Sequence, residues 1–211
     1  MNHCKKIENM AIFMRRKILE ISYLSSHAAH LGGGLSMVEI MATLYAHILN
    51  FDKVNPYWPE RDRFILSKGH GVLGYYSALL AVGFIDEKKY NTYLTNESDL
   101  ISHPIMNLDL GIESSNGSLG QGLSMAIGVA YAAKKDKDLN YKSYVLLGDG
   151  ECNEGSVWEA VMLAPQLMLD NLIAIVDYNK LQSDMTPSCD IINFGNLAAK
   201  FESFGWDVYD V

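Results

Sequence analysis

The run Tyr144-Val145-Leu146-Leu147-Gly148-Asp149-Gly150-Glu151-Cys152-Asn153-Glu154-Gly155, taken together with Asp177-Tyr178-Asn179, decides the fold. One apolar stretch stops in Gly-Asp-Gly; a second, Leu172 to Val176, stops in an Asp and an Asn. Apolar runs of this length bounded by turn residues read as buried strands. Between them, Val157, Ala160, Val161, Ala164, Leu167 and Met168 recur at helical spacing within Ser156 to Leu169. Strand, helix, strand of this size is a βαβ unit, whose strands run parallel because parallel pairing needs a crossover. Both polar tips then lie at the carboxyl edge of one sheet, where α/β proteins bind ligands. The carboxylate of Asp149 and the amide oxygen of Asn179 converge there. Hard oxygen donors suit magnesium or calcium, and magnesium usually takes further ligands from water and a phosphate. The flanking glycines let the backbone approach an anion closely. Gly-Asp-Gly alone is also a common turn. An EF-hand loop needs glycine where Glu154 stands, and a Walker phosphate loop needs a Gly-Lys-Ser/Thr run that the chain lacks.

With 211 residues the chain suits a single domain, 1–211, with a substantial core. Its 49% hydrophobic and 20% charged residues are ordinary for a soluble globular protein. A net charge of −8 argues against a general nucleic-acid or anionic-membrane binder, without excluding a local positive pocket for a phosphate. No apolar run approaches the roughly 18 residues of a membrane span. Met1 to Lys6 leads into a charged amphipathic helix rather than an apolar signal core. Cys4, Cys152 and Cys189 are too far apart for a disulfide framework or a zinc cluster, which fits a reducing cytoplasm.

Along the chain, Ile7, Met10, Ala11, Met14, Ile18 and Ile21 form the apolar stripe of a surface helix, with Arg15, Arg16 and Lys17 on a solvated face. Gly32-Gly33-Gly34 resists helix and favours close backbone approach. His27 and His30 precede it, and Ser36 with Glu39 reads as a capping box for a helix carrying Ile40, Leu44, Tyr45 and Ile48. Pro56 to Arg63 reads as an exposed loop. Phe64 to Leu66 is a short strand ending in Ser67-Lys68-Gly69-His70-Gly71. A cation, a histidine and a helix start together favour a phosphate, although a plain strand-to-helix turn fits as well. Residues 86–94 read as a short surface helix capped by Asp86, and Pro104 holds His103 in extended backbone. Gly111 to Gly122 is a rich loop opening a helix of small residues. Its Gly-x-x-Gly-x-Gly spacing, with no strand before it, is not a dinucleotide fingerprint. Phe194 to Phe204 reads as a helix and Gly205 to Val211 as a further strand.

Gly148-Asp149-Gly150 with Asn179 resembles the thiamine-diphosphate fingerprint, and the flanking segments resemble transketolase. His30-Leu31-Gly32-Gly33 is similar to that family's His-Pro-Gly-Gly segment, Arg61 to His70 to its signature strand, Ile101 to Pro104 to its His-Pro loop, and Asn116 to Gly122 to its Gly-Pro-Leu-Gly-Gln-Gly loop. Ser118 replaces the usual Pro, Asn116 the usual Thr, and Tyr178 an Asn or Asp. The resemblance implies a three-layer α/β fold, with helices on both faces of a mainly parallel sheet. It implies metal binding (Mg²⁺ or Ca²⁺) by Asp149, Asn179 and the carbonyl of Leu181. Thiamine diphosphate would be held by His70, Gly117, Ser118, Leu119, Gly150 and Asn179. His30 and His103 would act on substrate oxygens, and Glu154 would join a network linking active sites; His27 has no firm counterpart.

The resemblance spans nearly the whole chain, yet a complete transketolase is longer. The counterpart here is its diphosphate-binding domain, without the pyrimidine-binding domain and its cofactor-activating glutamate, the C-terminal domain, or a histidine-bearing segment that follows. The family also occurs in split form. The implied function is the N-terminal subunit of a transketolase, moving a two-carbon ketol unit from a ketose phosphate to an aldose phosphate with a C-terminal subunit, as an α2β2 heterotetramer. The alternatives are 1-deoxyxylulose-5-phosphate synthase, a specialised pathway transketolase, or a non-catalytic scaffold. The retained Asp149, Asn179, His30, His70 and Glu154 count against the scaffold; the missing tail counts for it.

Overall fold

The computed structural model describes residues 2–25, 29–136, 139–182 and 192–211; His27 and Cys189 lie outside them. Three strands form one parallel sheet in the order β1-β2-β3: β1 Arg63–Leu66, β2 Ser143–Gly148 and β3 Leu172–Asp177. The expected βαβ unit is present, with α7 (Gly155–Gln166) as its crossover. Register pairs Leu66 with Leu146 and Gly148 with Asp177, so all three strands end at one edge.

Alternation along the strands divides the core. Phe64, Leu66, Tyr144 and Leu146 face one layer, built on α1 (His3–Leu24), α3 (Val38–Thr43) and α4 (Val72–Val82). Ile65, Val145 and Leu147 face the other, built on α6 (Gly122–Lys135), α7 and α8 (Leu197–Ser203). Helices thus cover both faces, as a buried parallel sheet requires. The small residues Ala126 and Ala130 bring α6 close against β1 and β2. Helix α4 is the most enclosed, and its two tyrosines carry hydroxyls that need partners. Tyr75 donates to the Gly111 carbonyl at 2.9 Å and Tyr76 to the Ile101 carbonyl at 3.1 Å, which pins both ends of the loop bearing His103.

Several local expectations change. The triple glycine sits inside a short helix, α2 (Leu31–Leu35). Close approach is still the reason for it, because a Cβ at Gly34 would lie 2.9 Å from that of Leu73. The capping box does not form. Met37 caps α3, the Ser36 hydroxyl donates to Asp177 at 2.6 Å, and Glu39 pairs with Arg15. Past Thr43 the helix widens into a π turn, Leu44–Ile48. The basic cluster of α1 is tied down within the chain, Arg16 to Glu20 and Lys17 to Glu87. Arg61 is buried rather than exposed, because its guanidinium grips Glu113 through two bonds of 2.7 and 2.8 Å. The surface helix after Asp86, α5, covers only Glu87–Tyr90, and α8 begins three residues late, where Asn196 caps Ala199. Gly205 to Val211 forms no strand. Trp206 and Val208 pack on the second layer and the Trp206 indole donates to the Val161 carbonyl, while Tyr209 and Val211 stay exposed.

Candidate active site

The carboxyl edge gathers the polar residues that end each strand. Asp149 follows β2 directly and is buried; its oxygens accept from Gly150 N at 2.9 Å and from Lys180 N at 2.8 Å. Its own amide donates to the Asp177 carbonyl at 3.2 Å, which locks the Gly-Asp-Gly turn to the end of β3. Two residues further on, the Asn179 side-chain oxygen accepts from Leu181 N at 2.8 Å, so the loop folds back on itself beside Asp149. Leu181 is exposed. Gly150 has no side chain because that of Gln182 lies over it, 3.0 Å from where a Cβ would stand. The Gln182 Nε2 is buried without a hydrogen-bond partner among the described residues.

Three histidines from separate segments meet above this edge. The His30 ring centroid lies 5.7 Å from that of His70 and 6.1 Å from that of His103. Gly33 makes this possible, since a Cβ there would stand 2.6 Å from the His70 ring. Burial first, then the Lys68 ammonium, then His30 and His103, push the His70 pKa down to about 4. Burial and His30 also lower that of His103. At neutral pH both rings are therefore uncharged, each offering one donor and one acceptor nitrogen. His47 packs against His3 elsewhere, with the two rings tilted by 39°.

The loop 116–122 closes the cluster. Gly117 and Ser118 are exposed, Leu119 is half-buried, and a Cβ at Gly117 would sit 3.9 Å from the His103 ring. Asn116 N donates to the Pro104 carbonyl at 3.1 Å, joining this loop to the His103 segment. Glu154, at the start of α7, is exposed, and its Cβ and Cγ lie against Gly120.

Sequence reasoning missed two buried polar hubs, both at the end of β1. Lys68, expected to favour a phosphate, is instead buried against Asp177 at 2.6 Å, with Ser36 at 3.2 Å. Ser67, one residue earlier, donates to the buried Glu151, whose carboxylate also accepts from Gly120 N at 2.8 Å and Gly148 N at 3.0 Å. The available signal was position: Ser67 and Lys68 directly follow an apolar strand, and Glu151 sits two residues past Asp149.

Residues 10–211 match the family model described as "Transketolase, thiamine diphosphate binding domain". The chain belongs to the transketolase family. Among its relatives is an apulose-4-phosphate transketolase subunit of Actinobacillus succinogenes, 45% identical over 97% of this chain and 74% of that one. Another is the 6-deoxy-6-sulfo-D-fructose transketolase subunit SqwG of a Clostridium species, 43% identical over 86% of this chain and 66% of that one. The solved transketolase from Leishmania mexicana superposes with a TM-score of 0.84 at 27% identity. That from Campylobacter jejuni gives 0.82 at 29%. These alignments cover 94% and 97% of this chain but only 31% and 32% of those two. The chain is thus a thiamine-diphosphate-binding domain of a transferase family, with the three-layer α/β fold of the solved transketolases. No helix among the described residues is long and apolar enough to cross a membrane.

Proposed function

We propose that this transketolase domain is the N-terminal subunit of a two-subunit enzyme, active only with a C-terminal, pyrimidine-binding subunit. The enzyme would transfer a two-carbon ketol unit from a ketose phosphate to an aldose phosphate, using thiamine diphosphate in the cytoplasm. The observation that carries this reading is the meeting of His30, His70 and His103 above the Asp149–Asn179 edge. The donor chemistry fits the cofactor and its metal. One buried carboxylate, the Asn179 amide oxygen and the Leu181 carbonyl are what Mg²⁺ (or Ca²⁺) uses when a phosphate completes the set. The unpartnered Gln182 Nε2 beside Gly150 is a donor of the kind a diphosphate oxygen accepts.

Thiamine diphosphate, when bound, supplies the carbanion that accepts the ketol unit. Gly150 and His70 would contact its diphosphate, and Gly117, Ser118, Leu119 and Asn179 would be further contacts to the cofactor. His30 and His103 would hold the substrate oxygens. Burial and the neighbouring His30 lower the His103 pKa, and an uncharged imidazole there can donate at one nitrogen and accept at the other. Glu154 would face the partner's half of the assembly, an α2β2 heterotetramer. The relatives are named for apulose 4-phosphate and 6-deoxy-6-sulfo-D-fructose, sugars that both carry an anionic group; a ketose of that class is the proposed donor. The test is ketol transfer with the purified chain, alone and mixed with the C-terminal subunit. Turnover should require both, and transfer by the isolated chain refutes the proposal.

A further inference from the structure

We infer that Glu151 is a positioning residue that sets the loop 116–122 against the cofactor site, an inference that rests on the reading of that loop as a cofactor contact. Glu151 is 2% exposed, and both its oxygens are used. One accepts from the Ser67 hydroxyl and from Gly120 N at 2.8 Å; the other accepts from Gly148 N at 3.0 Å. Ser67 in turn accepts from Gly122 N at 3.1 Å. One carboxylate therefore fixes two amides of the loop, Gly120 directly and Gly122 through a hydroxyl, and ties both to the amide of Gly148 next to Asp149. The loop is held from its other side as well. The Ser156 hydroxyl donates to the Gly120 carbonyl at 3.0 Å, and Gly69 abuts the Asn116 carbonyl, 2.7 Å from where its Cβ would be. Gly120 takes a left-handed φ of 81°, which a tightly bonded turn sustains. Between these anchors Gly117 and Ser118 are exposed and Leu119 is half-buried. Their backbone is presented by a buried frame whose one carboxylate is Glu151.

A carboxylate is needed because the hub is made only of donors. Glutamate accepts at both oxygens, whereas glutamine accepts at one and turns an NH₂ toward an N–H or the serine hydroxyl. Glu151→Gln keeps the volume and breaks the match, in a buried place where an unmet donor is costly. The experiment uses the chain assembled with its pyrimidine-binding subunit. It measures thiamine diphosphate affinity by tryptophan quenching, kcat at saturating cofactor, and hydrogen exchange at Gly120 and Gly122 without cofactor. Val145→Ala, a core truncation on β2, controls for general destabilisation.

In Glu151→Gln, exchange at Gly120 and Gly122 should accelerate. The cofactor Kd should rise about tenfold or more, the usual effect of removing a group one layer behind a ligand contact, with kcat at saturation nearly kept. Ser67→Ala should accelerate Gly122 more than Gly120. Val145→Ala should melt lower yet bind cofactor as the wild type does. Unchanged exchange and affinity in Glu151→Gln, or an equal loss of affinity in Val145→Ala, overturns the inference. A wild-type assembly that does not bind thiamine diphosphate overturns the reading of the site, and this inference with it.

Discussion

Replacing Lys68 by methionine removes the ammonium from a pair that is almost wholly out of water. The Lys68 side chain is 1% exposed and that of Asp177 6%, with Nζ 2.6 Å from Oδ2. The alternative partner left to Asp177 is the Ser36 hydroxyl, a neutral donor. Methionine nearly conserves the volume, so cavity formation adds little, and the loss is that of a carboxylate kept buried without its cation. Breaking such a pair from one side costs about 3–5 kcal/mol, because the desolvation already incurred is no longer offset. For a chain of this size that corresponds to a fall in Tm of roughly 10 °C. The double variant Lys68→Met/Asp177→Asn should recover a large part of the loss, since an amide tolerates burial far better than a lone carboxylate. Urea unfolding of wild type, both single variants and the double variant, followed by tryptophan fluorescence, gives the coupling energy. A single-variant loss below about 1 kcal/mol, the range of exposed pairs, refutes the reasoning.

Other outcomes follow from the same structure. The folded pKa of His70, about 4, lies below its ordinary 6.5, so the unfolded chain takes up the proton first as pH falls. Stability from this ring is complete above about 6.5 and is lost toward pH 4, by about 1–2 kcal/mol once its partial exposure is allowed for. His70→Asn should flatten the pH dependence of the urea midpoint across that window, and an unaltered slope contradicts the assignment. In Lys68→Met the His70 pKa, read by NMR titration, should rise because the second cause of its depression is gone. Gly69→Ala drives a methyl to 2.7 Å of the Asn116 carbonyl oxygen, a backbone atom that cannot swing aside. It should cost about 1–3 kcal/mol and weaken cofactor binding, and a neutral result counts against the packing of these two loops.

The strands, the βαβ crossover and the edge carrying Asp149 and Asn179 were legible because apolar runs and their polar tips are local patterns. His30, His70 and His103 stand far apart in sequence, and only the resemblance to transketolase grouped them before the structure did. What stayed hidden depends on long-range partners. Ser36 and Glu39 have the spacing of a capping box, yet a buried carboxylate 141 residues away is a stronger attraction for the hydroxyl than a helix amide. Lys68 reads as a phosphate cation until Asp177 is placed beside it. Arg61, in a charged run with the look of a surface loop, is buried because Glu113 arrives from the loop before α6. Gly205 to Val211 has the composition of a strand, but a strand exists only where a neighbour offers a ladder.

The most direct test of the sheet edge as a cofactor site is the affinity for thiamine diphosphate with and without Mg²⁺, measured by calorimetry for the chain alone and with the proposed pyrimidine-binding subunit. Binding should require Mg²⁺ and tighten when the partner is present. Asp149→Ala should weaken it by roughly 30-fold or more, about 2 kcal/mol at 25 °C. Equal affinity without the metal, or in Asp149→Ala, contradicts the placement of metal and diphosphate at this sheet edge.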